Sequence, residues 1–87
     1  MFKIEAKKRV LKALEDLSGK EKNRIKEALV ILSNDPLPFK KLDIVKLKGY
    51  EDTYRIRIGD LRIVYKVGWN EKKIIIQFIG SRGKAYK

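Results

Sequence analysis

The chain has 87 residues, and its 22 Lys and Arg outnumber its 11 Asp and Glu, which gives a formal net charge of +11 at neutral pH. A chain of this length forms one domain with a single compact core, and this excludes a large enclosed substrate cavity. An excess of positive charge suits a polyanionic partner, namely nucleic acid, an anionic membrane or an acidic protein.

The composition also excludes several kinds of site. The chain contains no Cys and no His, so it has no disulfide, no thiolate nucleophile, no histidine general base and no metal site built from these residues. We therefore expect no metal and no cofactor. No apolar run is long enough for a signal peptide or a membrane span, so we expect a cytoplasmic protein with no membrane partner.

The first third of the chain predicts a short strand and two helices. Residues 2–4 are the candidate strand, and apolar residues then recur at spacings of three and four, as on one face of a helix. The first helix has the stripe Ala6, Val10, Ala13, Leu14 and Leu17, and the second has Ile25, Ala28, Leu29 and Leu32. Ser18 and Glu21 form a capping box that starts the second helix, and Pro36 follows its end. We expect an antiparallel hairpin of helices with one shared apolar face.

The remainder of the chain predicts strands. Residues 37–50 are punctuated by Pro38 and Gly49 and are expected to be loop or irregular strand. Residues 54–58 and 61–67 alternate between apolar and polar positions, and the two residues Gly59 and Asp60 between them form a turn with glycine first, as type II′ prefers. A second turn leads into residues 73–79, which are rich in Ile.

The predicted fold is of the α+β class, with the element order β-α-α-β-β-β. We expect the two-helix hairpin to pack on one face of a small, mainly antiparallel sheet. No linker or low-complexity tract interrupts the sequence, so residues 1–87 are predicted to form a single domain.

Counting outward from the two-residue turn assigns the side chains of the hairpin to two faces. The face expected to lie against the helices carries Tyr54, Ile56, Ile58, Leu61, Ile63 and Tyr65. The other face carries Arg55, Arg57, Arg62 and Lys66, with Arg57 directly opposite Arg62. Like charges opposed across a strand pair are destabilising. We therefore interpret the cluster as an anion-binding site rather than a solvated basic face, because guanidinium groups bind phosphate oxygens bidentately and remain charged.

Two lysines flank this basic face. Lys46 and Lys48 precede the hairpin at strand-like spacing and are predicted to extend the nucleic-acid contact, although lysines on an exposed loop are commonly just solvated. Trp69 and Phe78 are either packing residues or surfaces on which bases stack.

The C-terminal tail adds Arg82, Lys84 and Tyr86. One interpretation is a frayed basic terminus. The other is functional, because Arg82 supplies a permanent cation and Tyr86 is the tail group that can act as an acid or a base.

Three stretches of the sequence together resemble a known family. They are Leu47-Lys48-Gly49, then residues 54–65 with the pattern Y-R-I-R-I-G-D-L-R-I-V-Y, then Ile79-Gly80-Ser81-Arg82 with Tyr86. The chain is similar to the RelE group of the RelE/ParE toxin superfamily over essentially its whole length. Two departures are visible. Arg replaces Lys at positions 55 and 57, and Tyr86 follows Arg82 at a shorter spacing than in the best-known bacterial members.

The resemblance implies an mRNA interferase, a toxin of a type II toxin–antitoxin module that cleaves mRNA in the ribosomal A site and is silenced by an acidic RelB-like antitoxin. It implies catalytic roles for Arg62, Arg82 and Tyr86, and RNA-binding roles for Arg55, Arg57, Lys46, Lys48 and Lys84. The alternatives are a ParE-type inhibitor of DNA gyrase, which shares this fold, and a non-catalytic basic domain that binds nucleic acid.

The expected reaction needs no metal, because the RNA 2′-OH is itself the nucleophile. Arginines would offset the charge that develops on the phosphate oxygens. Arg is a poor proton acceptor, so the base is either Tyr86 or a lysine such as Lys84, and Tyr86 alternatively only stacks on a base. Such a site is expected to be slow on free RNA and to depend on the ribosome for orientation of the codon.

Overall fold

The structure is a computed structural model that describes residues 1–81. These residues contain two helices and five strands, and the elements in chain order are β1 (Lys3–Ala6), α1 (Lys8–Glu15), α2 (Gly19–Asn34), β2 (Asp43–Lys46), β3 (Thr53–Ile58), β4 (Leu61–Gly68) and β5 (Lys73–Ser81). Neither helix is long and apolar enough to cross a membrane.

The strands form one mixed sheet in the order β1-β5-β4-β3-β2. The pairs β2–β3, β3–β4 and β4–β5 are antiparallel, whereas β1 runs parallel to β5. A parallel neighbour requires a crossover, and the two helices between β1 and the rest of the sheet supply it. The predicted α+β class, with a helix hairpin on a mainly antiparallel sheet, is confirmed.

The N-terminus of α2 is stabilised as the sequence predicts. The Ser18 hydroxyl accepts a hydrogen bond from the Glu21 backbone N–H at 3.1 Å, and a Glu21 carboxylate oxygen accepts one from the Ser18 N–H at 2.9 Å. The two contacts satisfy donors that the first turn of a helix leaves without intrahelical partners. The start of α2 is therefore encoded locally.

The helix-facing side of the sheet forms the core. Ile56, Leu61, Ile63 and Tyr65 are buried there against Val10 of α1 and against the α2 residues Ile25, Ala28 and Leu32. The hairpin register is the predicted one, since Ile58 pairs with Leu61 and Tyr54 with Tyr65. Gly59 has φ 57°, a conformation that glycine adopts without the steric cost of a Cβ.

Two predictions about elements are wrong in detail. Residues 43–46 form a regular edge strand within the segment expected to be loop or irregular strand, and only Ile44 of this strand is buried. A strand with one buried side chain shows almost no alternation in sequence, so its pairing with β3 decides its structure. Ala6 was expected on the helix stripe but ends β1 and is exposed, because α1 begins at Lys8.

Candidate nucleic-acid interface

The sheet face turned away from the helices carries the three predicted arginines, and we call Arg55, Arg57 and Arg62 the arginine face. Strand pairing arranges this face in rows. In one row Asp43, Arg57, Arg62 and Gly80 are consecutive partners across β2, β3, β4 and β5. In the adjacent row Val45, Arg55, Val64 and Phe78 are the corresponding partners. The structure thus brings the three arginines together, as the hairpin register predicts.

Arg57 is held by an acidic neighbour on the edge strand. Its Nε donates a hydrogen bond to Oδ2 of Asp43 at 2.9 Å, and its Nη2 forms an ion pair with the same oxygen at 2.8 Å. Both side chains are about half exposed, at 51% for Arg57 and 48% for Asp43. Asp43 is not recognisable from the sequence as part of this face, because the pairing of β2 with β3 that places it beside Arg57 has no strong local pattern.

Arg55 and Arg62 present polar atoms that nothing in residues 1–81 satisfies. Arg55 Nε and Arg62 Nη1 are buried and have no hydrogen-bond partner among the described residues. A buried donor without a partner costs about 1–3 kcal/mol, and more for a charged group. Such donors are rare in native proteins and call for a specific explanation. Both nitrogens are screened from solvent, so an acceptor such as a phosphate oxygen reaches them only when the arginine side chains move.

Apolar side chains, Val64 and Phe78, lie on the same side of the sheet as these arginines. Val64 lies on this side of the sheet and is only 1% exposed, although it is separate from the main core cluster. The register between β4 and β5 shifts beside it, since Val64 pairs with Phe78 and Tyr65 with Ile76. Gln77 is therefore the extra residue of a bulge, which keeps Phe78 on the arginine face and Ile76 in the core.

Phe78 lies with its ring over Gly80. A Cβ placed on Gly80 would lie 2.6 Å from Cζ of Phe78, which is closer than real Cβ contacts. Gly80 is also the cross-strand partner of Arg62. The absence of a side chain at position 80 therefore gives the Phe78 ring its place beside the arginine row. Phe78 thus lies on the same side of the sheet as the arginine face, and base stacking on its ring remains a prediction.

Trp69 does not lie near the arginine face. It follows β4 at the end opposite to Arg62, about 20 Å away at the usual rise of a strand. Its ring contacts Phe2 edge to face with centroids 5.7 Å apart, and its indole N–H donates to Asp52 at 3.3 Å. These contacts support the packing interpretation of Trp69.

The lysines predicted around the site have different positions. Lys66 is exposed on the same side of the sheet as the arginine face, opposite Thr53. Lys46 is exposed at the sheet edge, but it pairs with Tyr54 and so alternates toward the helix side of the sheet. Lys48 is exposed in the turn that follows β2. The structure does not bring Lys46 and Lys48 into the arginine rows, and their RNA contacts remain predictions.

Three predicted site residues, Arg82, Lys84 and Tyr86, lie outside the described residues. Among residues 1–81, no group of three or more acidic side chains is arranged to hold a metal ion. The described part of the predicted site thus consists of cationic groups, whereas the predicted proton acceptors belong to the tail.

A buried hydrogen bond supports the segment that leads into β2. The Tyr65 hydroxyl donates to the Pro36 carbonyl at 2.8 Å. Burial, together with the charges of Tyr54 and Asp35, raises the pKa of the Tyr65 phenol well above its ordinary value. The phenol consequently stays protonated, and it anchors the segment after α2 to the strand that carries Arg62.

The chain is similar to known proteins in both sequence and fold. A protein-family model described as the ParE toxin of type II toxin–antitoxin system, parDE, matches residues 4–86. The chain is 44% identical over 86 residues to the RelE1 toxin candidate of Methanocaldococcus jannaschii, and the match covers 99% of this chain and 96% of that protein.

Two solved structures have the same fold. The structure matches a chain of the archaeal RelE–RelB complex from Pyrococcus horikoshii with a TM-score of 0.85 and 38% identity, over 97% of this chain and 98% of that one. It also matches a chain of the RelB–RelE antitoxin–toxin complex from Methanococcus jannaschii with a TM-score of 0.75 and 32% identity, over 88% of each chain.

Proposed function

The chain belongs to the ParE toxin family of type II toxin–antitoxin systems and is a RelE-type toxin, and from this premise we propose that it is a metal-independent endoribonuclease that cleaves mRNA in the ribosomal A site. Cleavage of the codon would stop translation in the cytoplasm, where ribosomes are found. The observation that carries the proposal is the gathering of Arg55, Arg57 and Arg62 on one face of the sheet, with Arg57 and Arg62 as direct cross-strand partners. Guanidinium groups stay charged and bind phosphate oxygens bidentately, so this face suits a scissile phosphate.

The chemical step is attack of a ribose 2′-OH on the adjacent phosphorus. The O2′–P bond forms, the P–O5′ bond breaks, and the products are a 2′,3′-cyclic phosphate and a free 5′-hydroxyl. The 2′-OH proton passes to a base, and the leaving 5′-oxygen takes up a proton. Arg57, Arg62 and Arg82 stabilise the charge that develops on the non-bridging oxygens, a contribution that is commonly the largest in such reactions.

The base in this proposal belongs to the tail. Tyr86 or Lys84 accepts the 2′-OH proton, because an arginine stays charged at any relevant pH and cannot accept one. Arg55 and Arg57 hold the RNA backbone, and Lys46 and Lys48 contact the RNA beyond the cleaved nucleotide. The arrangement lacks a histidine, so much of the rate depends on the ribosome, which holds the codon in a reactive orientation.

We also propose an acidic RelB-like antitoxin as the partner that silences the toxin. The structural relatives from P. horikoshii and M. jannaschii are toxin chains in complexes with RelB. A net charge of +11 favours rapid association with an acidic chain. Growth of cells that express the toxin should recover when an acidic antitoxin from the same operon is co-expressed.

The test of the nuclease is a cleavage map on translating ribosomes, with the wild type beside Arg82→Ala. We expect codon-phased breaks in translated mRNA with the wild type and none with the variant, at unchanged thermal stability. The family model carries the ParE description, and this favours gyrase inhibition as the second candidate. Intact mRNA together with an SOS response would establish that candidate and overturn the nuclease. Intact mRNA without an SOS response would leave a basic binding domain.

A further inference from the structure

Asp43 is a carboxylate within a face that is proposed to bind a polyanion. It is the cross-strand partner of Arg57, and Arg57 is in turn the partner of Arg62. A negative charge at this position repels phosphate, so its presence reduces the attraction of the arginine face for RNA. A side chain that weakens binding at a binding face needs a separate physical role.

The geometry of the ion pair indicates what that role is. Asp43 Oδ2 accepts a hydrogen bond from Nε and lies 2.8 Å from Nη2, so the carboxylate occupies one edge of the Arg57 guanidinium. The guanidinium is planar and carries five N–H donors, so the Nη1 group, on the other side, stays available. The side chain of Arg57 is about half exposed and, without this contact, would sample several rotamers.

The position of Arg62 adds a second reason for a fixed Arg57. The two arginines are directly opposed across the strand pair, where like charges repel each other. Asp43, on the other side of Arg57, attracts its guanidinium toward β2. The carboxylate therefore counteracts the repulsion and keeps one orientation of Arg57 in the absence of RNA.

We propose that Asp43 is a positioning residue for the cleavage reaction, which holds Arg57 with its Nη1 side toward the scissile phosphate at a cost in RNA affinity. This inference rests on the proposed nuclease function. Asp43 does not touch the reacting atoms; it acts through Arg57. Its loss should improve binding and impair the chemical step, which is a combination that simple structural damage does not produce.

The variants separate charge from geometry. Asp43→Ala removes the carboxylate and the hydrogen bonds, whereas Asp43→Asn removes the charge and retains an oxygen that accepts from Arg57. Glu5→Gln is the matched control, because Glu5 forms the other ion pair of the described residues, with Lys73 at 3.6 Å, and lies outside the arginine rows. Asp43→Asn and Glu5→Gln change the net charge equally.

Binding is measured by fluorescence anisotropy with a short single-stranded RNA that carries 2′-O-methyl groups and cannot be cleaved. Both Asp43 variants should bind about two- to fivefold more tightly than the wild type, the range that corresponds to one exposed ion pair. Glu5→Gln should bind with nearly wild-type affinity. Equal tightening in Glu5→Gln would show that net charge alone matters and would overturn the proposal.

Catalysis is measured as kcat and KM on programmed ribosomes. We expect Asp43→Ala to lower both kcat and KM, with kcat reduced about tenfold by misplacement of Arg57, and Asp43→Asn to lower KM while it retains most of kcat. If the wild type cleaves normally and Asp43→Ala has the same kcat, the positioning role of Asp43 is overturned and the proposed function stays intact. A wild type that binds RNA without cleaving it overturns the proposed function and this inference with it.

Discussion

Arg57 and Arg62 are direct cross-strand partners, yet within residues 1–81 a carboxylate accompanies only Arg57. Opposed like charges destabilise a strand pair, and Arg62 in addition buries an unsatisfied Nη1. A sheet that served only stability would satisfy both groups. Within residues 1–81, Arg62 is thus the member of this pair whose positive charge has no carboxylate partner.

Replacing Arg62 by Ala should abolish most of the RNA cleavage. Loss of one preorganised donor to a developing negative charge lowers kcat by about 100- to 1,000-fold in comparable sites. The measurement is the rate of codon-phased cleavage on programmed ribosomes. Lys20→Ala is the control, since it removes an equal charge from an exposed position on α2. If both variants cleave at the wild-type rate, Arg62 has no part in the reaction.

Replacing Arg55 by Met should separate stability from function. The variant keeps an apolar stem between Val45 and Val64 and removes the unsatisfied Nε. We expect the free energy of unfolding to rise by about 1 kcal/mol, whereas RNA affinity falls and the salt slope of binding decreases by about one. Urea unfolding and anisotropy at several salt concentrations measure the two effects. A less stable variant with unchanged RNA affinity would contradict this account of Arg55.

Replacing Gly80 by Ala should displace the Phe78 ring, which lies on the same side of the sheet as the arginine face. The new Cβ needs the space that the Phe78 ring occupies, so the ring must move away from its place over position 80. Overpacking of this kind costs about 1–3 kcal/mol, which thermal unfolding will detect. The double variant Gly80→Ala/Phe78→Leu is the control, because a smaller side chain removes the clash. Equal destabilisation in both variants would mean that the ring is not the obstacle.

Replacing Tyr65 by Phe should remove the bond to Pro36 and lower the free energy of unfolding by about 1 kcal/mol. Because the pKa of the Tyr65 phenol is raised in the folded state, its contribution is fully present below the ordinary pKa of 10.0. That contribution is lost as the pH rises from there toward the folded-state pKa. Stability measured by urea unfolding should therefore decline above about pH 10 in the wild type and decline less in the variant. An alkaline decline of equal size in the wild type and in Tyr65→Phe would contradict this account of Tyr65.

Much of the arginine face could be predicted from local patterns. The alternation in residues 54–58 and 61–67, together with a two-residue turn that starts with glycine, specifies which side chains share a face and which residue opposes which. The opposition of Arg57 and Arg62 follows from these features alone. The capping box at Ser18 is equally local, since it involves residues three positions apart.

Other parts of the site could not be predicted in this way. Asp43 meets Arg57 because β2 pairs with β3 across the turn and loop of residues 47–52, and β2 has a single buried residue to indicate it. Phe78 lies on the arginine face while Ile76 lies in the core because a bulge at Gln77 shifts the register of β5, and no motif in residues 73–81 indicates that bulge.

The sequence by itself determined the helix start, the hairpin register and the gathering of three arginines on one side of a sheet, because each depends on a period or a turn within a few consecutive residues. The tertiary structure decided which arginine has a carboxylate partner, which guanidinium nitrogens are buried without one, and where the aromatic ring lies. Those outcomes depend on the pairing of strands that are distant along the chain, and the free energy of such pairing is shared among many side chains rather than carried by a local motif.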